Sequence, residues 1–301
     1  MDLKELDNKL ICVFIPALNE EKTISNVIGD IKKLLGRNIK IIVVDDGSTD
    51  ETSLIAKREG AVVVRHSVNK GLAEAYRTGM KEILKLKPDL IIQTDADGQY
   101  LASEMPKLLE PLIKDEADLV LGSRFKGKIE KMPLIKRLGN KAFSRLISNI
   151  TGLKISDGQT GFRAFLPCIA EKIKVMSDYT YTQEVILRAS MQKFRIVEVP
   201  VTFLKRKDGK SRLMNNSFHY AQNAMINILR VYRDFKPLKF FGFFGLSSMF
   251  IGLIIGLYLI YQWFTIGYVG STAKPILSVL FLTTGLQLIL FGFLADMKKG
   301  D

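Results

Sequence analysis

The most informative stretch of the sequence is Leu90-Ile91-Ile92-Gln93-Thr94-Asp95-Ala96-Asp97-Gly98-Gln99, in which a short apolar run leads directly into two carboxylates. An unbroken apolar run of this kind is typical of a strand covered on both faces of a sheet. Asp95 and Asp97 are separated by one residue, so both carboxylates can point the same way where the strand ends. Carboxylate oxygens suit Mg²⁺ or Mn²⁺, and such a cation in turn binds a diphosphate. Asp95 and Asp97 are therefore the predicted metal ligands, with the Gln99 amide as a neutral third ligand.

Strands and helices alternate along the chain before and around this stretch. Apolar strands are predicted at 10–15, 39–44 and 61–65, with helices between them. This alternation predicts an α/β protein with a mainly parallel, doubly wound sheet, in which ligands bind beyond the carboxyl ends of the strands. The polar clusters at 16–20, 45–46 and 95–97 should therefore meet at one rim. Neither G-x-G-x-x-G after a strand nor G-x-x-x-x-G-K-S/T occurs, so a dinucleotide fold and a phosphate-binding loop are not supported.

Two uncharged segments near the C-terminus predict a transmembrane hairpin. A helix needs about 20 residues to cross about 30 Å of hydrocarbon, and the segments at about 240–264 and 275–295 meet that length. Basic residues flank both outer ends, which predicts that both termini face the cytoplasm. They are Arg230, Arg233, Lys236, Lys239, Lys298 and Lys299. The first five residues are not those of a signal peptide, so the N-terminal domain is expected in the cytoplasm as well.

The composition of the chain indicates anionic partners. The formal net charge is +13 at pH 7, and a basic domain at a membrane attracts anionic lipid and phosphorylated ligands. Nucleic acid is not expected, because no helix-turn-helix pattern and no interleaved aromatic and basic motif is found. The two cysteines, Cys12 and Cys168, show neither the spacing of a metal site nor that of a disulfide framework.

Six short motifs follow one another along the chain. They are Pro16-Ala17-Leu18-Asn19-Glu20, Val43-Val44-Asp45-Asp46-Gly47-Ser48-Thr49-Asp50, Asn69-Lys70-Gly71, Asp95-Ala96-Asp97, Gly122-Ser123-Arg124 and Thr160-Gly161-Phe162-Arg163. Their order resembles that of the family-two glycosyltransferases of the GT-A fold, and is most similar to the dolichol-phosphate mannose synthases and bacterial polyprenyl-phosphate glycosyltransferases. The resemblance implies a doubly wound mixed sheet, a nucleotide-sugar donor, Mg²⁺ or Mn²⁺, and a polyprenyl or dolichyl phosphate acceptor.

The resemblance also implies roles for individual residues. The base and ribose of the nucleotide would be held by Pro16, Leu18, Glu20, Val44 and Asp46. The metal and diphosphate would be held by Asp95, Ala96, Asp97 and Gln99, with Arg124 nearby and with Arg206 and Arg212 closing over the donor. Leu18 stands where the mannose synthases usually have Tyr, and Arg212 where they usually have Lys. These two departures leave the base and the sugar open.

The chemistry of such a transfer explains which catalytic groups to expect. A departing nucleotide needs its negative charge stabilised, which a divalent cation and arginines achieve. A lipid monophosphate, with a second pKa of about 6, is already a nucleophilic anion, so no strong protein base is needed. Asp97, Arg124 and Arg137 are the predicted catalytic residues. A base at Glu184 is the alternative to a carboxylate that merely favours a helix N-terminus, and His66 is expected to lie outside the rim.

An amphipathic helix is predicted at about 134–150, with one apolar and one basic face. Two interpretations stay open. The helix lies in the membrane interface and presents Arg137 and Lys141 to the acceptor phosphate, or it packs on the sheet with its polar face in solvent. Arg163 likewise has two candidate roles, which are to bind the acceptor phosphate or to form an ion pair with Asp157.

These expectations combine into one organisation and one leading function. Residues 1–215 form a cytoplasmic catalytic domain, 216–239 an amphipathic juxtamembrane helix, and 240–297 the two spans in the bilayer; a homo-oligomer is compatible with this arrangement. The leading function is inverting, metal-dependent transfer of a hexose from a GDP-mannose or UDP-glucose type donor to a polyprenyl phosphate. The alternatives are a processive polysaccharide synthase, whose Gln-x-x-Arg-Trp element residues 183–188 do not match, and a non-catalytic membrane-anchored module that binds nucleotide sugars.

Overall fold

The computed structural model describes residues 6, 8–36, 38–176, 181–206, 222, 225–226, 229–230, 232–234 and 236–297. The chain divides into two compact units, Met1–Ile228 and Leu229–Asp301. Much of the predicted juxtamembrane helix at 216–239, and Arg212 before it, lie outside the described residues.

The first unit alternates strands and helices. Its strands are β1 (Ile11–Ala17), β2 (Ile39–Asp45), β3 (Val62–Arg65), β4 (Leu90–Gln93), β5 (Leu119–Ser123), β6 (Arg163–Phe165) and β7 (Ile196–Pro200). Its helices are α1 (Ile24–Leu35), α2 (Thr52–Arg58), α3 (Leu72–Lys85), α4 (Met105–Ile113), α5 (Leu134–Thr151), α6 (Pro167–Lys172) and α7 (Thr182–Met191).

The strands form one sheet in the order β3-β2-β1-β4-β6-β5-β7. All neighbouring pairs are parallel except those of β6, which runs antiparallel to both β4 and β5. The predicted doubly wound mixed sheet is confirmed. Helix α1 shows why the layers hold together, because Ile24, Ile28 and Ile31 recur at helical spacing and are fully buried in the same core as the strands.

Strand β1 continues past Pro16, although Pro16 was expected to end it. The strand pairs with β2 along its whole length, whereas its pairing with β4 ends opposite Phe14. Beyond Phe14 one edge of β1 has no neighbouring strand, so a residue without an N–H group is tolerated there. The longer strand carries the chain to the rim where the predicted site lies.

The second unit contains two long apolar helices, α8 (Pro237–Ile266) and α9 (Ala273–Met297). Both are long and apolar enough to cross a membrane, with mean hydropathies of 2.2 and 2.1. Their backbones approach closely where small residues face each other: a Cβ added to Gly245 would lie 2.7 Å from the carbonyl oxygen of Gly285. Ser278 adds a hydrogen bond of 2.7 Å from its hydroxyl to the Gly252 carbonyl. Small residues and such hydrogen bonds are what packs helices together in lipid.

Candidate active site

The end of β4 places both predicted metal ligands at the rim of the sheet. Asp95 and Asp97 follow the last β4 residue in a turn whose Gly98 has a φ of +68°, a conformation that glycine adopts without strain. The backbone N–H of Gln99 donates a 3.1 Å hydrogen bond to Asp97 Oδ1. The side-chain nitrogen of Gln99 donates to the Leu204 carbonyl at 2.9 Å, so its amide oxygen is the atom left to ligate a cation.

The two carboxylates are close enough to influence each other. Burial, and then the charge of Asp97, raise the pKa of Asp95 to about 7. Burial also raises the pKa of Asp97, against the opposing effects of the Gln99 N–H and Arg206. The Asp95 carboxylate has neither a hydrogen-bond donor nor an ion-pair partner among the residues that the structure describes. Two carboxylates held close together in a poorly solvated place, one of them with no ion-pair partner in the described part of the chain, are what a cation would stabilise.

Gly161 leaves the space that the Asp95 carboxylate occupies. A Cβ at Gly161 would lie 2.7 Å from both oxygens of Asp95, so any larger residue would displace them. Within the described part of the chain, no cluster of three or more His, Cys, Asp or Glu side chains is found. A pair of carboxylates suits Mg²⁺ or Mn²⁺ that takes its remaining ligands from water and substrate phosphates. The residues present therefore fit a divalent metal bound together with a diphosphate.

Arg206 connects the metal motif with the loop after β1. Its guanidinium contacts the Glu20 carboxylate directly and lies 3.8 Å from Asp97 Oδ2. Thr23 adds a second link, since its hydroxyl donates to the Ala96 carbonyl at 2.7 Å. The structure thus brings together predicted site residues from three segments, around Glu20, Asp97 and Arg206, that lie far apart in the sequence.

The same loop is held by the loop after β2. The Glu20 N–H donates to Thr52 Oγ1 at 2.8 Å, and the Asn19 N–H donates to Ser48 Oγ at 2.8 Å. Asn19 has a φ of +50°, a conformation that Asn tolerates better than most residues. Leu18, the half-buried residue before it, lies on this loop. The first two strands therefore present their loops to the rim as one hydrogen-bonded assembly.

Three of the predicted nucleotide-binding residues are built into the fold. Pro16 and Val44 are buried in β1 and β2, and Val44 has no exposed surface, so the Val44 side chain packs within the sheet and the part of Val44 in nucleotide binding stays a prediction. The Asp46 carboxylate accepts hydrogen bonds from the backbone N–H groups of Lys70 at 2.9 Å and Gly71 at 2.8 Å. Its role in this structure is to hold the loop before α3.

His66 also contacts Asp46, which corrects the expectation that this histidine lies apart from the rim. The ring is only 6% exposed, and Nδ1 lies 2.7 Å from Asp46 Oδ1. Because a carboxylate only accepts, Nδ1 carries the proton in this contact. Nε2 lies 2.9 Å from the Thr78 hydroxyl. Sequence reasoning missed His66 because its partner is 20 residues away on another strand.

Arg124 lies near the carboxylates but is held by another residue. Its Nε and Nη2 bind the two oxygens of Asp157 at 2.7 and 2.8 Å, and its backbone N–H adds a third bond of 3.0 Å. This bidentate geometry is the strong form of the interaction. The expected partnership of Asp157 with Arg163 is therefore wrong. Arg124 nonetheless helps to lower the pKa of Asp95, so its charge acts at the site.

Arg163 cannot bind an acceptor at the surface, because it is fully buried. It is the first residue of β6, paired with Gln93 of β4 and Leu121 of β5. Its Nε donates to the Thr160 carbonyl at 2.8 Å, and its guanidinium carbon lies 5.9 Å from the centre of the Tyr181 ring. The prediction of a phosphate contact is corrected to a buried position behind Asp95.

Helix α5 packs against the rest of the first unit with part of its polar face. Asn140 and Ser144 are 3% and 2% exposed, and Ser144 Oγ accepts a 3.0 Å hydrogen bond from the Gly158 N–H. The apolar face divides, because Ile147 is fully buried whereas Leu134 and Leu138, nearer the start of the helix, are 75% and 67% exposed. The alternative in which the whole polar face is solvated is therefore wrong.

The cation of α5 that faces the carboxylates is Lys136, which the sequence did not single out. Burial, and then the neighbouring Arg124, lower the pKa of Lys136, while Asp97 acts to raise it. Lys136 precedes Asn140 by one helical turn, on the side of α5 that packs inward. Arg137 and Lys141, the two acceptor-phosphate ligands predicted on this helix, are exposed. Helical periodicity places Lys136 on the same face as Asn140, but the sequence does not show that this face packs inward.

Glu184 is not available as a base. It is fully buried, accepts a 2.9 Å hydrogen bond from the Met176 N–H, and forms an ion pair of 2.6 Å with Arg188 one turn further along α7. A fully buried carboxylate that is bound to Arg188 and to the Met176 N–H has no free surface with which to contact an acceptor. The structural interpretation of Glu184 is favoured over the catalytic one.

The fold and the strand-end carboxylates together define a GT-A-like protein. The fold matches that of glucosyl-3-phosphoglycerate synthase from Mycobacterium tuberculosis, solved with Mn²⁺, UDP-glucose and phosphoglyceric acid, with a TM-score of 0.63 over 77% of this chain and 84% of that chain at 20% identity. The family model for glycosyl transferase family 2 matches residues 12–174. The chain belongs to this family, and it is a glycosyltransferase.

Curated relatives share most of the chain. One is the UDP-N-acetylglucosamine–dolichyl-phosphate N-acetylglucosaminyltransferase of Methanococcus voltae, 34% identical over 249 residues that cover 75% of this chain and 95% of the relative. Another is a dolichyl-phosphate hexose transferase of Haloferax volcanii, 32% identical over 205 residues that cover 67% of this chain and 86% of the relative. Their names describe transfer of a sugar to dolichyl phosphate.

Proposed function

We propose that the protein transfers a hexose from a nucleotide sugar to a polyprenyl or dolichyl phosphate at the cytoplasmic face of a membrane. The observation that carries this proposal is the pair of neighbouring carboxylates, Asp95 and Asp97, with Arg206 3.8 Å from Asp97 at the rim of the sheet. Two negative charges suit a divalent cation, and the cation with the arginine suits a diphosphate. The acceptor is inferred from the two archaeal relatives and from the apolar helices of the second unit.

The donor would bind between the loops after β1 and β4. Asp95, Asp97 and the Gln99 amide oxygen would hold Mg²⁺ or Mn²⁺, which stabilises the negative charge that develops on the departing nucleotide. Arg206 adds positive charge to the same place, and the Arg124–Asp157 pair keeps the Arg124 guanidinium fixed beside it. Glu20 lies next to Arg206 and would contact the nucleoside part of the donor.

The acceptor would supply its own nucleophile. A phosphate monoester is mostly ionised at neutral pH, so one of its oxygens can attack the sugar from the side opposite the leaving group, which inverts the anomeric centre. Glu184 is paired with Arg188, and His66 is paired with Asp46. Among the described rim residues the ionisable side chains are thus committed to holding the metal, the donor or the fold, which agrees with a reaction that needs no protein base.

The membrane would bring the acceptor to the site. The exposed leucines of α5, bordered by Arg137 and Lys141, have the character of a surface that enters the lipid interface. Helices α8 and α9 would anchor the chain as a two-span hairpin with the catalytic domain and both termini in the cytoplasm. Lys136, on the inward side of the same helix, would then lie between the interface and the carboxylates.

The decisive experiment offers purified protein radiolabelled GDP-mannose, UDP-glucose and UDP-N-acetylglucosamine separately, each with Mg²⁺ or Mn²⁺ and a polyprenyl phosphate. Label that moves into the organic phase identifies the donor and supports the proposal. Label that appears only in soluble or polymeric products contradicts the lipid acceptor. Asp95→Asn is expected to lower the rate about 100-fold or more, whereas Asp115→Asn, at an exposed carboxylate paired with Arg195, should leave the rate unchanged.

A further inference from the structure

Helix α9 has two distinct faces. One packs against α8 through Ser278, Gly285 and Gly292, which are buried and spaced seven residues apart. A Cβ at Gly285 would lie 2.6 Å from the Gly245 carbonyl oxygen, so this face admits only small residues. The contact with α8 therefore leaves no room for a larger side chain on this face of α9.

Gln287 lies on the opposite side of the same helix. It follows Gly285 by two positions, which at 3.6 residues per turn is a rotation of about 200°. Exposed residues recur on its side at alternating spacings of four and three. They are Ile276, Leu280, Thr283, Gln287, Leu290 and Leu294. We call these six residues the Gln287 stripe; their spacing is that of the a and d positions of a helix pair.

The side-chain amide of Gln287 has no hydrogen-bond partner among the residues that the structure describes. The uncharged run 275–295 has its midpoint at residue 285, so Gln287 lies about 3 Å along the axis from the centre of the span. Thr283 differs, because its hydroxyl bonds to the Val279 carbonyl at 2.9 Å within the helix. In the middle of a bilayer neither water nor lipid tails can form hydrogen bonds with an amide. The Gln287 amide therefore needs a hydrogen-bonding group on another helix.

We propose that the Gln287 stripe binds the same stripe of a second copy of this chain, with the two Gln287 amides hydrogen-bonded to each other. This inference rests on the membrane anchoring proposed above. A second copy fits because an amide carries both a donor and an acceptor, so two identical amides related by a two-fold axis satisfy each other. Copies inserted with the same topology also hold Gln287 at the same depth. Because the Thr283 hydroxyl is bonded within its own helix, Gln287 is the polar group of the stripe left to pair, and one such group fixes the register of a helix pair.

The first test measures self-association of the full-length protein in liposomes. Donor- and acceptor-labelled protein is mixed, and energy transfer is followed while lipid is added. Gln287→Leu is expected to raise the dissociation constant roughly three- to thirtyfold, whereas Leu286→Ala, an exposed neighbour outside the stripe, should leave it unchanged. Equal dissociation constants for wild type and Gln287→Leu would overturn the proposal.

The second test locates the interface by cross-linking in membranes. A Cys168→Ser background removes the partly exposed native thiol, and Cys12 is buried in β1. Oxidation should give a disulfide-linked dimer of Leu280→Cys and of Thr283→Cys, both of which keep Gln287, but not of Leu286→Cys. Equal cross-linking at 283 and 286 would overturn the proposed face.

Extraction with alkaline carbonate separates the two levels of the inference. Protein released from the membrane would contradict the anchoring and the dimer together. Protein retained in the membrane that shows no energy transfer above the level expected for dispersed monomers would contradict the dimer alone. Retention together with energy transfer that depends on Gln287 supports both.

Discussion

At the scale of single residues, the Asp95 carboxylate is held in an environment that disfavours its charge. Burial and Asp97 raise its pKa to about 7, and Gly161 packs directly against it. Such a group is poorly stabilised by the protein alone, and it gains most from a ligand that brings positive charge. Metal binding, proton binding and the shape of the 160–163 loop are therefore linked through one side chain.

The pH dependence of metal binding follows from this raised pKa. Without metal, the folded protein holds the Asp95 proton more tightly than the unfolded chain does, so this group stabilises the fold at low pH and the contribution is lost as the pH rises through about 7. A cation needs the ionised form, so its stabilising effect has the opposite dependence. The increase in Tm on adding Mn²⁺ should be small near pH 5.5 and large above about pH 7.5.

Thermal unfolding at several pH values, with and without Mn²⁺, measures this effect. In Asp95→Asn, the Tm increase caused by Mn²⁺ should no longer depend on pH. Asp115→Asn should behave as wild type does. An increase in Tm of the same size at both ends of the pH range would contradict the assignment of Asp95 as a metal ligand.

Gly161→Ala tests whether the space beside Asp95 matters for catalysis. The added Cβ would lie 2.7 Å from both carboxylate oxygens, so the carboxylate must move away from its position. A displacement of this kind is expected to lower kcat about 10- to 100-fold. The matched control is Gly29→Ala on α1, where no atom lies within 4 Å of the new Cβ and activity should be kept. Full activity of Gly161→Ala would show that Asp95 does not need its observed position.

The residues that sequence reasoning found are those whose role depends on local order. Asp95 and Asp97 were predictable because a buried strand runs straight into them, and the chain direction of a parallel sheet sets the rim they reach. The partner of Asp157 was not predictable, because Arg124 and Arg163 are both plausible in sequence and only the packing of β6 inside the sheet excludes Arg163. The inward orientation of Lys136 likewise depends on tertiary contacts.

At the scale of elements, α5 buries Asn140 and Ser144 beside Ile147 and leaves two leucines of its first turns exposed. Its periodicity predicts two faces, but it does not say which face packs inward. Ser144 satisfies its hydroxyl within the protein, through the Asn140 carbonyl at 2.8 Å and the Gly158 N–H at 3.0 Å, so a polar contact is stable there. Leu134 and Leu138 are left outside, which suits a helix that has lipid as its neighbour.

Charge on the outer face of α5 should impair use of the lipid acceptor. Leu138→Glu places a carboxylate where the side chain is 67% exposed, so the Tm should change little. The KM for polyprenyl phosphate in liposomes is expected to rise about 10-fold or more, because a carboxylate is repelled by anionic lipid and enters the interface poorly. Leu54→Glu on α2, at another exposed leucine, is the control. An equal effect of both variants would contradict a membrane role for α5.

At the scale of the whole molecule, the two units follow different rules of construction. The first buries apolar strands between helices, as alternating α/β sequence patterns predict, although β6 was missed because a three-residue strand that begins with arginine has no apolar run to mark it. The second packs two helices through small residues and leaves its large apolar side chains outward. The spans were readable from sequence because length and absence of charge alone define them.

The orientation of the hairpin can be measured by labelling in intact cells. Ser271→Cys lies in the segment between α8 and α9, which the proposed topology places outside. An impermeant maleimide should label Ser271→Cys in intact cells and label wild-type Cys168 only after permeabilisation. Labelling of Cys168 in intact cells would place the catalytic domain on the other side of the membrane.

The contact of Arg206 with both Glu20 and Asp97 implies an order in which ligands are used. A guanidinium that already pairs with two carboxylates attracts a third anion more weakly. Once a divalent ion binds Asp97, the attraction between Asp97 and Arg206 weakens. The arginine is then able to bind an incoming diphosphate. The ion and the nucleotide should therefore bind cooperatively, beyond the effect of the bonds between them. Each should bind weakly alone, and the sugar donor should be held for reaction only when the ion is also bound.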